Sequence, residues 1–142
     1  MADSAIMSVI RAQEGATCRG DVQAIVEPMS DEIVLFDLPP PLVHRGVQAR
    51  DIEEIKRWLA TWTNGVCVRL EESQILTEGD LAVVFGLSRM TGTKLDGTTV
   101  DSWSRRTVVL ARSAGAWKIV HEHSSFPMAM DGSGRAVTDL TP

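Results

Sequence analysis

The chain has 142 residues, 44% hydrophobic and 23% charged, which suits one globular domain and leaves no room for a second core. Its formal net charge is -5, with no Lys/Arg cluster beyond Arg105-Arg106, so the basic stripe that binds nucleic acid by displacing counterions is missing. No stretch reaches the roughly 18 apolar residues of a membrane span. The N-terminus MADSAIMSVIRAQEG has neither the charged start nor the apolar run of a secretory signal, and a cytoplasmic protein without membrane partners is expected.

In chain order, Ile6, Val9, Ile10 and Gln13 fall at helical spacing, which puts Gln13 on an otherwise apolar face. Gly20 ends this helix and Asp21 caps a short second one whose inner side is Val22, Ile25, Val26 and Met29. The run Glu32 to Asp37 is rich in strand formers and stops at Pro39-Pro40-Pro41, where backbone donors are lost, leaving Asp37 at the mouth of whatever the strand borders. After Gly46 a third helix carries Ile52, Ile55, Leu59 and Trp62, with Asp51 and Glu54 as a capping box or, if the helix begins a turn earlier, as surface residues, and Asn64-Gly65 as its end.

From Val66 onward, strand-forming runs alternate with turns at Glu78-Gly79-Asp80, Lys94 to Gly97 and Ser113 to Gly115. Four strands near 66–77, 81–93, 99–112 and 116–125 make an antiparallel meander, and Gly86 and Gly92 suggest bulges that bend it. The fold class is therefore α+β: a cone-shaped half-barrel of curved antiparallel sheet on three N-terminal helices, enclosing a pocket. Residues 1–127 form the domain and 128–142 a loosely attached C-terminal extension. Cys18 and Cys67 lie on different elements with no CxxC pair, so two reduced structural thiols are expected.

Two segments, Gly20-Asp21 through Phe36-Asp37-Leu38-Pro39 and Asp96-Gly97 through Trp117 to Ser125, resemble the SnoaL-like, ketosteroid-isomerase-like branch of the nuclear-transport-factor-2-like superfamily. The resemblance places Asp37 where the family's proton-shuttling base lies. The family's oxyanion-holding tyrosine falls near Gln13 in a chain without tyrosine, and its protonated aspartate falls near Arg106, so the polar lining differs. The segment His121 to Ser125 also resembles the last strand of the association domain of calcium/calmodulin-dependent kinases, where a pocket arginine maps onto Arg89. That kinship implies a homodimer through the outer sheet face.

The candidate catalytic residues are thus Asp37 as base, with Arg89 or Arg106 to hold an enolate-like oxygen. Arg89 follows Leu81, Val83, Phe85 and Leu87 on one strand face and needs an anionic partner there, Asp37 or Glu122. In the last strand, Trp117, Ile119, His121 and His123 share one face and Lys118, Val120, Glu122 and Ser124 the other; parity leaves open which is inward, because one bulge would swap them. Gln13, Trp62, Trp103, Glu122, Ser124 and His123 complete the candidate ligand contacts. His121 and His123 have chelating spacing but only His44 as a third histidine, so no metal is expected, and no cofactor.

Two functions fit: a small-molecule pocket protein doing cofactor-free isomerase, cyclase or hydratase/dehydratase chemistry on a mostly apolar substrate, or a non-catalytic ligand-binding or dimerisation module of the same fold.

Overall fold

The structure is a computed structural model and describes residues 2–142. Its elements are α1 (Ala2–Arg19), α2 (Val22–Val26), β1 (Met29–Phe36), β2 (His44–Arg45), α3 (Ile52–Leu59), β3 (Trp62–Glu78), β4 (Leu81–Lys94), β5 (Thr99–Ser113) and β6 (Ala116–Ser125). Ile6, Ile10 and Gln13 turn inward together from α1, as their spacing predicts. Asp21 caps α2 by accepting the Ala24 N–H, and Asp51 caps α3 by accepting those of Glu53 and Glu54. No helix among the described residues is long and apolar enough to cross a membrane.

Helix α3 is shorter than its periodicity suggests. It ends at Leu59, and Trp62 already belongs to β3, where it faces Lys94 across the ladder. Asn64-Gly65, expected as a helix stop, lies inside β3 at a register shift, with both residues at positive φ. A tryptophan one helical turn beyond Trp58 reads as helix in sequence, but pairing with β4 overrides that local pattern.

The six strands form one open sheet in the order β2-β1-β6-β5-β4-β3. Every neighbouring pair is antiparallel except β1 and β6, which are parallel, so the sheet is mixed rather than wholly antiparallel. The parallel pair arises because β1 lies beside the last strand, while α3 carries the chain to the far edge before the meander begins. Helix α1 packs on both β3 and β6, and its Ile6 and Ile10 share one core with Ile33, Leu70, Val84, Val108, Leu110 and Ile119. With strands about 4.8 Å apart, one helix meets both only if the sheet curls around it. The α+β half-barrel on three helices follows.

The bulges lie opposite the glycines rather than at them. The β4–β5 ladder runs without a shift from Leu81↔Ala111 to Thr93↔Thr99, whereas β3 slips against β4 between Thr63 and Val66 and between Glu71 and Gln74. Gly86 accommodates the second slip: a Cβ there would lie 2.6 Å from the Glu71 carbonyl oxygen and 3.0 Å from Ser73 Cα. Gly92 accommodates the Trp62 ring, 2.8 Å from a Cβ placed on it. Glycine is thus used for close approach of a neighbour.

Cys18 and Cys67 form a disulfide with a Cα–Cα distance of 4.4 Å, which overturns the expectation of two free thiols. They are 49 positions apart on unlike elements, and only the docking of α1 along the free edge of β3 joins them. Arg11, Glu14 and Cys18 follow one another at i+3 and i+4 on that side of the helix. Glu14 accepts the Leu70 N–H at 2.6 Å, and Arg11 donates to the Leu70 carbonyl at 3.0 Å and to Glu14 at 2.6 Å. An edge strand's unpaired groups invite another chain, and here side chains of α1 occupy them.

The C-terminal segment is tied to itself and to the end of the domain. Met128 bridges Ala136, and the Val137 N–H donates to the Pro127 carbonyl at 2.8 Å.

Replacing Glu14 by Ala strands the Leu70 N–H and removes one of the two partners of Arg11, so we expect about 2–3 kcal/mol lower stability in urea unfolding; an unchanged midpoint would remove the edge clamp as a stabilising feature. Gly86→Ala should lower the melting temperature more than Gly92→Ala, because its new methyl meets backbone, which cannot rotate away, whereas at Gly92 it meets a side chain. The reverse order in calorimetry would contradict this packing.

Candidate functional site

A bulge in β6 decides which of its side chains face the helices. Leu110 faces Ile119 but Val109 faces His121, leaving Val120 as the extra residue. Trp117 and Ile119 are buried before the bulge; after it, Glu122 and Ser124 pair with Val108 and Arg106 of the inner row, and His121 and His123 pair with Val109 and Thr107 of the outer row. Both halves of the strand therefore contribute to the inner face with opposite parity.

Four of the expected residues come together there. Arg106, 8% exposed, donates through the same Nη2 to Gln13 Oε1 at 3.2 Å and to Glu122 Oε1. Gln13, also 8% exposed, donates through Nε2 to the Ile25 carbonyl at 3.0 Å, which fixes its oxygen toward the guanidinium. The Glu122 side chain retains 20% exposure. Ser124 is the cross-strand partner of Arg106. A buried cation needs a partner and further hydrogen bonds, and Arg106 has both.

Asp37 stands at the rim. Leu35 pairs with Glu122 and Phe36 with His123; extending that register by one residue sets Asp37 level with Ser124. Arg106 is one strand further, about 10 Å from Asp37 between Cα atoms. Asp37 is exposed, and its carboxylate accepts the Leu38 N–H at 2.8 Å. It lines an open depression of about 560 Å³ with Phe36, His123, Leu42 and the Leu38 to Pro41 segment. Phe36 meets His121 and His123 edge-on, at 4.8 and 5.4 Å between ring centres.

Arg89 and Trp103 lie elsewhere. Arg89 pairs with Asp101 through two hydrogen bonds of 2.8 and 2.7 Å, in place of the expected Asp37 or Glu122, and its guanidinium sits 5.6 Å from the Trp103 ring centre. The pair raises the Arg89 pKa, through the hydrogen bonds and the charge of Asp101, and holds Asp101 below the usual carboxylate range. The reason is parity: odd-numbered residues of β4 and β5 form the outer row, and Ser88, Ser104 and Arg106 the inner one. Leu81, Val83, Phe85 and Leu87, which suggest an inward face in sequence, belong to that outer row.

Trp62 is buried on the inner side, with Lys94 Nζ 3.8 Å from its ring centre and Trp58 edge-on at 6.1 Å; its indole N–H has no partner. Ser88 and Ser104, buried and directly cross-strand, were not singled out from sequence. Their signal was there: both share parity with Ala82 and Val84 or with Val108 and Leu110, polar interruptions in apolar rows.

The model of the SnoaL-like domain matches residues 6–129. No curated protein matches the chain. Among solved structures, an NTF2-like protein of unknown function from Pseudomonas putida KT2440 is 28% identical, with a TM-score of 0.85 over 99% of this chain and 96% of that one. A candidate ketosteroid isomerase from Shewanella frigidimarina NCIMB 400 is 24% identical, with a TM-score of 0.65 over 83% and 92%. The association domain of CaMKII from C. elegans is 18% identical, with a TM-score of 0.69 over 87% and 95%. The last two likenesses show the fold alone. With its family model matched from residue 6 to residue 129 and its helices and open mixed sheet shared with NTF2-like structures, this chain belongs to the SnoaL-like domain family.

Proposed function

We propose that the protein binds a small, mostly apolar, oxygen-bearing molecule against the inner sheet face and performs cofactor-free acid–base chemistry on it, of isomerase, cyclase or hydratase/dehydratase type. The observation that carries this reading is the buried Arg106–Glu122–Gln13 network. An ion pair inside an apolar core is a weak source of stability, so a pair whose carboxylate keeps 20% exposure favours a role in recognition. Arg106 is already neutralised by Glu122. A ligand carboxylate would compete with that pairing, whereas a carbonyl or hydroxyl oxygen takes a remaining guanidinium N–H without displacing it.

In this reading Asp37 moves the proton from the depression it shares with the outer-row His123, and Arg106 on the inner face stabilises an oxygen that gains negative charge, so the substrate reaches across the end of the sheet. Ser88, Ser104 and Ser124 offer hydroxyls to orient the substrate. The reaction class is that named for a protein of like fold, a candidate ketosteroid isomerase. The non-catalytic reading draws support from one observation: Asp37 is exposed and holds a backbone N–H, as an aspartate does in a turn. In either case the half-buried row Val83, Phe85 and Leu87 suits contact with a second copy, in keeping with the likeness to an association domain.

Native mass spectrometry of freshly purified protein should find a dimer retaining a small molecule. A chain that arrives empty, and whose Ser88, Ser104 and Ser124 amide signals do not move with any of a panel of small apolar ketones and alcohols, would overturn the binding reading. For a substrate so identified, Asp37→Asn should slow turnover at least about a hundredfold while the ligand is still retained. An unchanged rate takes Asp37 out of the chemistry.

A further inference from the structure

The Cys18–Cys67 bond occupies a particular place in the contact between α1 and β3. One and two helical turns before it, Glu14 and Arg11 hold the N–H and carbonyl of Leu70; the bond itself ties the last turn of the helix to the same strand edge. The approach is tight on the backbone as well. Gly65, at φ 90°, lies where a Cβ would be 3.1 Å from the Cys18 carbonyl oxygen, so strand and helix end meet at a position only glycine fits. Cys18 is exposed and Cys67 half-buried, which leaves one sulfur-bearing residue open to an incoming thiolate.

We propose that Cys18–Cys67 is a thiol–disulfide exchange site whose redox state sets how firmly the C-terminal half of α1 is held on the β3 edge. The reductant is a dithiol. Its thiolate attacks the Cys18 sulfur, forms a mixed disulfide and releases Cys67 as a thiolate that takes up a proton. The second thiol of the reductant then attacks the mixed disulfide and releases Cys18; the protein ends as two thiols and the reductant as a cyclic disulfide. In a reducing compartment such a disulfide is a transient, regulated bond rather than a permanent staple. Reduction leaves Glu14 and Arg11 as the polar ties on this edge. It also loosens the helix segment that carries Gln13, the residue orienting Arg106. The exchange site stands independently of the ligand reading, since its readout is the helix itself.

Hydrogen exchange on the full chain tests it, comparing protein purified without reductant with the same protein in dithiothreitol. The untreated chain should lack two hydrogens in intact mass and regain them in dithiothreitol under native conditions. Reduction should accelerate amide exchange across residues 11–19 and 66–70 at least about tenfold, leave the β4–β5 ladder unchanged, and reverse on reoxidation. Cys18→Ser should exchange at the fast rate with or without dithiothreitol, and Cys67→Ser should do the same if the first variant fails to fold. Free thiols in the untreated chain, a bond that resists dithiothreitol in the folded protein, unchanged exchange at 11–19, or simultaneous acceleration of all amides would each overturn the proposal; the last would make the bond a global staple.

Discussion

Adjacent residues of α1 anchor it in two directions. Gln13 points to the inner sheet face and orients Arg106, while Glu14 points to the edge and accepts the Leu70 N–H. Consecutive helix positions are about 100° apart, so a single helix faces both the sheet interior and its edge only if the sheet curls around it. The apolar row Ile6 and Ile10 supplies the burial that holds the helix in place, and the two polar side chains determine its rotation. Both are buried and hydrogen-bonded, which makes a different rotation of α1 expensive: each would lose its partner without regaining water.

The curl has a local cause. β3 carries extra residues at two register shifts against β4, and extra residues on one strand bend it relative to its neighbour. Gly86 and Gly92 keep the opposing strand clear where the bulged backbone and the Trp62 ring come closest. β6 has its own shift at Val120, which turns Trp117 and Ile119 into the apolar core and then Glu122 and Ser124 toward Arg106. One irregular residue thus separates the solid end of the interior from its polar end.

The electrostatics divide along the same line. Inside, Arg106 and Glu122 cancel, and the surrounding groups are amide and hydroxyl. Outside, Arg89 and Asp101 form an exposed pair beside Trp103, of the kind that solvent screens heavily. Asp37 stands apart from both pairs at the proline rim. Membership of the SnoaL-like family accounts for the frame, and within it Gln13 and Arg106 bond to each other.

Much of the fold was legible in the residues. The spacing of Ile6, Ile10 and Gln13, the caps at Asp21 and Asp51, and the turns that bound β4, β5 and β6 are local signals, and the structure follows them closely. Arg106, Glu122, Gln13 and Ser124, named from the sequence, lie together on the inner face. Arg89 and Trp103 were misplaced because β4 is apolar on both faces, so its alternation could not distinguish core from outer surface. The start of β3 at Trp62, the parallel pairing of β1 with β6, the bulge at Val120 and the Cys18–Cys67 bond each depend on where a distant segment lies. Sequence by itself determined the order and type of the elements, because backbone propensity, capping and periodicity act within a few residues. Tertiary structure decided which faces and which distant partners meet, because a one-residue slip in register inverts a strand and its energy is settled by the neighbour it pairs with.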